Sequence, residues 1–281
     1  MMIVALFPNT RKPQTKNIAI GIREYLASRG ITVVVEDAEA EELNLQPLSS
    51  VDPKEISFLI SLGGDGTILR LIHRHSLLEV PIIGINMGSL GFLADVPVSD
   101  IYPSLQDLID GRYRIQKRMI MEGETVKGET CFAINEMVFH RAQNPSLVDL
   151  GVHVDGIYLN TFSADGVIVA TPSGSTAYSL AAGGPILTPE LNSMVITPIC
   201  PHTVSNRPIV LMPQKEIQIQ HLSEHDPVEI TFDGISRYSI RTGEVFYIRP
   251  SKRFFPLISL DRHDYFSTLR TKLGWTGKLR T

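Results

Sequence analysis

"LISLGGDGTIL", residues 59–69, sets three glycines and one acid directly after an apolar run. Glycine costs roughly 0.5–1 kcal/mol inside regular structure, so a plain connector is a poor home for three. The residues before the turn, "ISFLISL" (56–62), read as a buried strand, and "TILRLIHRHSLL" (67–78) read as a helix. A strand handed to a helix through such a turn is the repeating unit of a parallel α/β sheet, whose ligands sit beyond the carboxyl ends of the strands.

The same alternation extends outward from the turn. "MMIVALF" (1–7) reads as a strand and "KNIAIGIREYLASRG" (16–30) as a helix, with Ile18, Ile22, Tyr25 and Leu26 on its apolar face and Gly30 at its end. "ITVVVE" (31–36) is a second strand, an acidic, Pro-containing loop follows, and "VPIIGIN" (80–86) is the strand after the helix. Residues 1–112 are therefore expected to form an α/β domain with a parallel sheet covered on both faces, carrying the GGDGT turn.

Near residue 112 the pattern changes to short strands with two-residue alternation: "CFAINEMVFH" (131–140), "VHVDGIYLN" (152–160), "GVIVAT" (166–171), "PIVLMP" (208–213), "EIQIQHL" (216–222), "VEITFDG" (228–234) and "VFYIRP" (245–250). This spacing predicts a β-rich, antiparallel, sandwich-like domain over 113–258. The tail "DYFSTLRTKLGW" (264–275) is helical in pattern, so 259–281 is expected to pack back on the α/β domain.

Composition narrows the functional classes. A chain of 281 residues with 43% hydrophobic and 20% charged residues can build an ample core in one large domain or two ordinary ones. The net charge of −4, without a lysine or arginine run, argues against a nucleic-acid surface. The start "MMIVALFPNTRK" lacks a basic leader region, and no apolar stretch approaches the roughly 20 residues of a membrane helix, so a cytoplasmic protein without a membrane partner is expected. Cys131 and Cys200 match no metal or redox spacing and read as two buried free thiols. The eight histidines show no metal-ligand spacing, so no metal site made of protein side chains is expected.

The glycine turn is the first candidate site. Gly63, Gly64, Gly66 and Thr67 can bring backbone amides close to a polyphosphate, helped by the positive end of the following helix. Asp65 at the apex either does chemistry or, with Thr67, caps that helix. The pattern is neither the phosphate loop ending in Gly-Lys-Ser/Thr nor the spaced-glycine dinucleotide fingerprint. In "ATPSGSTAYSLAAGGPI" (170–186), Ser175 or Thr176 can cap a short helix ended by Gly183, and Tyr178 either stacks on a flat base or faces the core. Asn135 and Glu136 interrupt an apolar run, where buried polar groups are costly without partners; they mark a strand end or a grip on a ribose. Asp165 is a turn residue or a ligand contact. "INMGSLGFLAD" (85–95) is a plain exit from a strand or a further wall of the site.

Taken together, "SLGGDGTIL", "GINMGSLGFLAD", "INEMVFHR", "SADGVIVATPSGSTAYSLAAGGPI", "PHTVSNRPIVL" and "YFSTLRTKLGW" occur in this order along almost the whole chain. In this the sequence resembles the NAD kinases, which use ATP to phosphorylate NAD to NADP. Diacylglycerol kinases, sphingosine kinases and phosphofructokinases carry similar glycine turns; the 165–186 loop together with Asn135–Glu136 is the specific part. The resemblance implies an α/β domain joined to a β-sandwich, a homodimer or homotetramer, NAD and ATP as substrates, and Mg²⁺ arriving with ATP. It implies Asp65 as proton acceptor, with Gly66 beside it at the ribose. It implies Asn135 and Glu136 on the ribose hydroxyls, and Asp165 as another NAD-contacting acid. Thr176, Ala177, Tyr178, Ser179, Leu180 and Ala181 become the segment receiving the dinucleotide, and Arg70 a phosphate partner. Many members carry glutamine two positions after the aspartate of the "FDG" turn, where this chain has Ile235. Two other readings stay open from the residues alone: a lipid or small-alcohol kinase using the same turn, and a dinucleotide sensor without catalysis.

Overall fold

The computed structural model describes residues 2–76, 79–212, 216–224 and 227–275. It divides into two compact units, one built from Lys117–Phe255 and the other from the described residues on either side of that span.

The first unit runs β1 (Ile3–Pro8), α1 (Gln14–Ala27), β2 (Thr32–Val35), α2 (Asp37–Leu43), β3 (Gln46–Pro47), β4 (Ile56–Gly63), α3 (Asp65–Arg74), β5 (Ile82–Asn86), β6 (Val96–Pro97) and α4 (Ile101–Ile109). Its strands lie in the order β3-β2-β1-β4-β5, and every pairing is parallel. The order reverses at β1, which places the switch point of the sheet beside the end of β4. Phe58, Ile60 and Leu62 of β4 enter a core with Val4, Leu6 and the Ala19, Ile22, Leu26 face of α1. The opposite face receives Ile68 of α3, which lies against Gly84.

Two helices escaped the sequence reading. α2, "DAEAEEL", has one buried residue, Leu43, and so no apolar stripe to read. α4 carries Pro103 in its first turn, where proline is tolerated, although a proline ordinarily argues against helix. α3 begins at Asp65, two residues before the predicted start, and ends at Arg74; Leu77 and Leu78 of the predicted span lie outside the described residues.

The chain continues with β7 (Arg114–Thr125), β8 (Thr130–Ala133), β9 (Glu136–His140), β10 (Val148–Val154), β11 (Ile157–Ala164), β12 (Gly166–Ala170), α5 (Tyr178–Ala181), β13 (Met194–Ile199), β14 (Ile209–Leu211), β15 (Ile217–His221), β16 (Val228–Phe232), β17 (Ser236–Ile240) and β18 (Val245–Ser259), of which Lys117–Phe255 make up the second unit. One antiparallel sheet contains β11-β10-β15-β18, and a second has the order β14-β13-β12-β9-β16-β17. Met137 and Phe139 from the second sheet share a single core with Leu150, Ile219 and Phe246 from the first. The outer face of the six-stranded sheet is also covered, since Val138, Ile168 and Val195 pack with Leu187 and Ala182 of the 171–193 loop. α6 (Tyr265–Leu273) then closes the chain within the first unit.

Two predicted strands split. "VHVDGIYLN" is a hairpin turning at Asp155–Gly156, both with positive φ (51° and 76°), because alternation runs straight through a two-residue turn. "CFAINEMVFH" breaks at residues 134–135 into β8 and β9. Pro213, the last residue of the predicted "PIVLMP" strand, lies outside the described residues. Cys131 is half-buried, its thiol pushed up to about 12 by burial, whereas Cys200 is exposed rather than buried, on a left-handed turn (φ 44°) after β13.

Candidate functional site

The register of β4 on β5 sets Gly63 opposite Asn86, so the turn after β4 lies beside the loop after β5. The Asp65 carboxylate reaches across and does not cap α3. Its Oδ1 accepts the N–H groups of Leu93 (3.0 Å) and Ala94 (2.8 Å), and its Oδ2 accepts that of Phe92 (2.8 Å). An ionised carboxylate oxygen takes two hydrogen bonds readily. Oδ1 is therefore saturated by main chain, and Oδ2 keeps one lone pair uncommitted. The capping work falls to Thr67, whose Oγ1 accepts the Gly64 N–H at 3.4 Å.

The glycines divide by purpose. A Cβ on Gly63 would lie 2.1 Å from Thr67 Oγ1, and one on Gly91 would lie 2.0 Å from Asp65 Oδ1, so packing demands both. A Cβ on Gly64 meets nothing within 4 Å, and one on Gly66 meets only Arg70 Nη1 at 3.7 Å. Nothing inside the fold requires these two to lack a side chain, which leaves room for a group from outside to approach the turn. Arg70 is exposed one turn along α3, its Nη2 3.4 Å from Thr67 Oγ1. With Asn9, Arg11, Glu36 and Thr67 it lines a cavity of about 150 Å³ beyond the ends of β1 and β2.

In the second unit the break between β8 and β9 is held by Asp233, which begins the β16–β17 turn. Its Oδ2 accepts the Ile134 N–H (2.9 Å), and its Oδ1 accepts those of Asn135 (2.7 Å) and Glu136 (3.2 Å). Asp233 thus repeats the Asp65 arrangement: one carboxylate, three consecutive main-chain donors. The 171–176 segment fastens to the same place. Thr171 donates its N–H to Asn135 O (2.8 Å) and its hydroxyl to Ile134 O (2.5 Å), and Gly174 packs so closely that a Cβ would meet Asn135 O at 2.0 Å.

Asn135 and Glu136 are only 9% and 8% exposed, and among the described residues Asn135 Oδ1 and Glu136 Oε2 have no hydrogen-bond partner. Burial, and then the Asp233 charge, push the Glu136 carboxyl up to about 8. Buried polar atoms are ordinarily satisfied by protein or ordered water, so these two atoms of neighbouring residues are open to a partner from outside the protein.

Glu136, Asp165 and Tyr178 line one cavity of about 630 Å³, together with His140, Arg141 and Thr231. Tyr178 is 45% exposed and so is not a core residue. Asp165 pairs with Arg141 Nε at 2.8 Å. Neither predicted cap forms: Ser175 Oγ donates to Pro172 O and accepts the Leu187 N–H, and Thr176 Oγ1 donates to Ser173 O. Ser179 is buried against Thr197 Oγ1 at 2.9 Å, holding α5 on the sheet, while Ala181 is exposed. No group of three or more His, Cys, Asp or Glu among the described residues is arranged to hold a metal ion, and no helix among them is long and apolar enough to cross a membrane.

Models of the ATP-NAD kinase N-terminal domain and the ATP-NAD kinase C-terminal domain match residues 4–113 and 134–260. The chain belongs to the NAD kinase family. An NAD kinase of Protochlamydia amoebophila is 61% identical over 278 residues, covering 99% of this chain and 100% of that one. An NAD kinase of Geotalea daltonii is 37% identical over 283 residues, covering 98% and 99%. Among solved structures, yeast NADH kinase complexed with NADH superposes with a TM-score of 0.86 at 27% identity, covering 100% of this chain and 89% of that one. An NAD kinase from Archaeoglobus fulgidus in complex with ATP gives 0.76 at 25% identity, covering 99% and 100%.

Three parts of this candidate site were not visible in the sequence: Asp233, the 92–94 amides, and the Arg141 partner of Asp165. The Asp-Gly pair at 233–234 did signal a turn, and the glycine-rich 85–95 segment did stand out. Glu136 also makes a prediction about pH. A carboxyl near 4.5 in the unfolded chain and near 8 in the folded one binds its proton more tightly when folded. Its contribution is therefore most favourable below about pH 4.5 and is lost as pH rises toward 8, by an amount on the order of a few kcal/mol. Glu136→Gln should flatten that slope in denaturant unfolding followed from pH 5 to 8. Parallel stability profiles for the two proteins would contradict the assignment.

Proposed function

We propose that this chain transfers the γ-phosphoryl group of ATP to the 2′-hydroxyl of the adenosine ribose of NAD, giving NADP, with Asp65 as the proton acceptor. The observation that carries this reading is the Asp65 carboxylate: fixed by three amides, with one lone pair of Oδ2 uncommitted, at the end of β4 beside two glycines that packing does not require. The ribose O–H bond breaks toward Oδ2, the oxygen–phosphorus bond forms, and the γ-phosphorus parts from the bridging oxygen of departing ADP. A positioned base of this kind contributes typically about 10²–10⁴-fold, and phosphoryl transfer otherwise rests on positioning and electrostatics.

The glycine turn receives the donor's phosphates through the Gly66 N–H and the Arg70 guanidinium, with the Gly64 N–H held by Thr67 Oγ1 at the start of α3 and its missing side chain leaving room for the phosphates. Asn135 Oδ1 and the Glu136 carboxyl take the acceptor's ribose hydroxyls; protonated at neutral pH, Glu136 both donates and accepts. Asp165 and the 176–181 segment receive the rest of the dinucleotide, with Tyr178 against a base. A divalent ion suits the donor set in one way only: few carboxylates and many phosphate oxygens, the usual arrangement for Mg²⁺. It would be held by the phosphate oxygens of the donor rather than by a cluster of protein side chains, and would neutralise charge on the phosphates.

The test is to incubate the purified protein with ATP, Mg²⁺ and NAD and measure NADP. Phosphorylation of diacylglycerol or sphingosine without NADP would favour the lipid-kinase reading, and NAD binding without ATP consumption would favour the sensor. Tyr178→Ala should raise the KM for NAD about fivefold or more with little change in kcat, the loss of one aromatic–base stack being worth about 1–3 kcal/mol. An unchanged KM would count against stacking.

A further inference from the structure

The C-terminal motif "YFSTLRTKLGW" (265–275) has no part in the chemistry above, yet it touches the loop that holds Asp65. α6 is capped by Asp264, whose Oδ1 accepts the Ser267 N–H at 2.8 Å, and is seated by buried Thr268 and Leu269. From this seat two side chains reach the loop after β5. Lys272 Nζ donates to Leu90 O at 2.8 Å and lies 5.4 Å from the centre of the Phe92 ring. The Tyr265 ring packs against the same Phe92 at 5.8 Å. Phe92 in turn gives its N–H to Asp65 Oδ2, the oxygen with the uncommitted lone pair.

The ends of this loop are tied from within, since Asn86 donates to Ser89 O (2.7 Å) and Ala94 O (3.1 Å) and accepts the Gly88 N–H (2.7 Å). For Leu90 and Phe92, by contrast, the ring and side-chain hydrogen-bond partners among the described residues are Asp65, Tyr265 and Lys272. We infer that α6 is a clamp on the Asp65 carboxylate, with Lys272, Tyr265 and Phe92 as positioning residues that aim Oδ2. This rests on the reading of Asp65 as the base. Lys272 is exposed, and a hydrogen bond from an exposed lysine adds little to folding stability. Its loss should therefore loosen the aim without unfolding the chain.

The test is a double-mutant cycle on the full chain, with initial rates at varied NAD and ATP and a thermal melt for each protein. Lys272→Ala should lower kcat about tenfold, within the loss of up to 10²-fold expected from small misplacements, and leave the KM for NAD within about twofold. Lys272→Arg should recover most of the rate, since a guanidinium makes the same donation and stacks on Phe92. In the Asp65→Asn background Lys272→Ala should cost nothing further, as expected when one residue acts through the other. Phe92→Leu keeps the N–H and removes both ring contacts; it should follow the same pattern and is the variant to read if Lys272→Ala melts early. An equal fractional loss in both backgrounds, or no loss of kcat, overturns the clamp while leaving the base assignment standing. Wild-type turnover in Asp65→Asn overturns the base assignment, and the clamp with it.

Discussion

Asp65→Asn is expected to bind NAD almost as well as the parent chain and to turn over about 10²–10⁴-fold more slowly. The substitution keeps the shape of the side chain. One amide oxygen can still accept the Leu93 and Ala94 N–H groups that Oδ1 holds now. The amide nitrogen, however, stands where Oδ2 accepts the Phe92 N–H, setting donor against donor, and it has no lone pair for a proton. The residues proposed to hold the ribose, Asn135 and Glu136, are positioned by Asp233 and are untouched. The expected signature is a collapsed kcat with a KM for NAD near that of the parent. Parent-like turnover would exclude a base at position 65.

Gly91→Ala should reproduce much of that loss without altering any group that does chemistry. Its Cβ would stand 2.0 Å from Asp65 Oδ1 and 2.7 Å from Cγ, well inside contact distance, with Ala94 O at 3.0 Å on the other side. Either the carboxylate or the loop must yield by about 1 Å, and misplacements of that size cost on the order of 10²-fold. Overpacking of this kind also destabilises by about 1–3 kcal/mol, so a thermal melt belongs beside the kinetics. A folded Gly91→Ala protein with full kcat would mean that the position of the carboxylate is unimportant.

What the sequence displayed, and what it hid, follows from how far apart the partners lie. The β4–turn–α3 unit was legible because a buried strand, a glycine turn and a helix have distinct periods within 15 or so neighbouring residues. The polar pair Asn135–Glu136 stood out because its apolar surroundings made it expensive. Its control by Asp233 did not, because the donors are main-chain N–H groups, which every residue carries, and the partners are 97 to 99 residues apart. The same holds for Asp65 and its amides 27 to 29 residues away. The helix over Asp37–Leu43 and the hairpin at Asp155–Gly156 were missed for a local reason, since one lacks an apolar face and the other alternates through its turn.

Glu136 and Asp65 show two ways of preparing a carboxyl group. The first is buried beside another acid and pushed up to about 8, which favours its neutral form at pH 7. The second is half-exposed and pinned by amides, so that its direction is fixed before anything binds.

A crystal structure of the chain with NAD bound measures the central relation directly, as the distance from the adenosine 2′-oxygen to Asp65 Oδ2. The account predicts a contact of about 2.6–3.2 Å, with the Phe92, Leu93 and Ala94 amides still in place. A 2′-oxygen turned away from residue 65 and bonded elsewhere would contradict it.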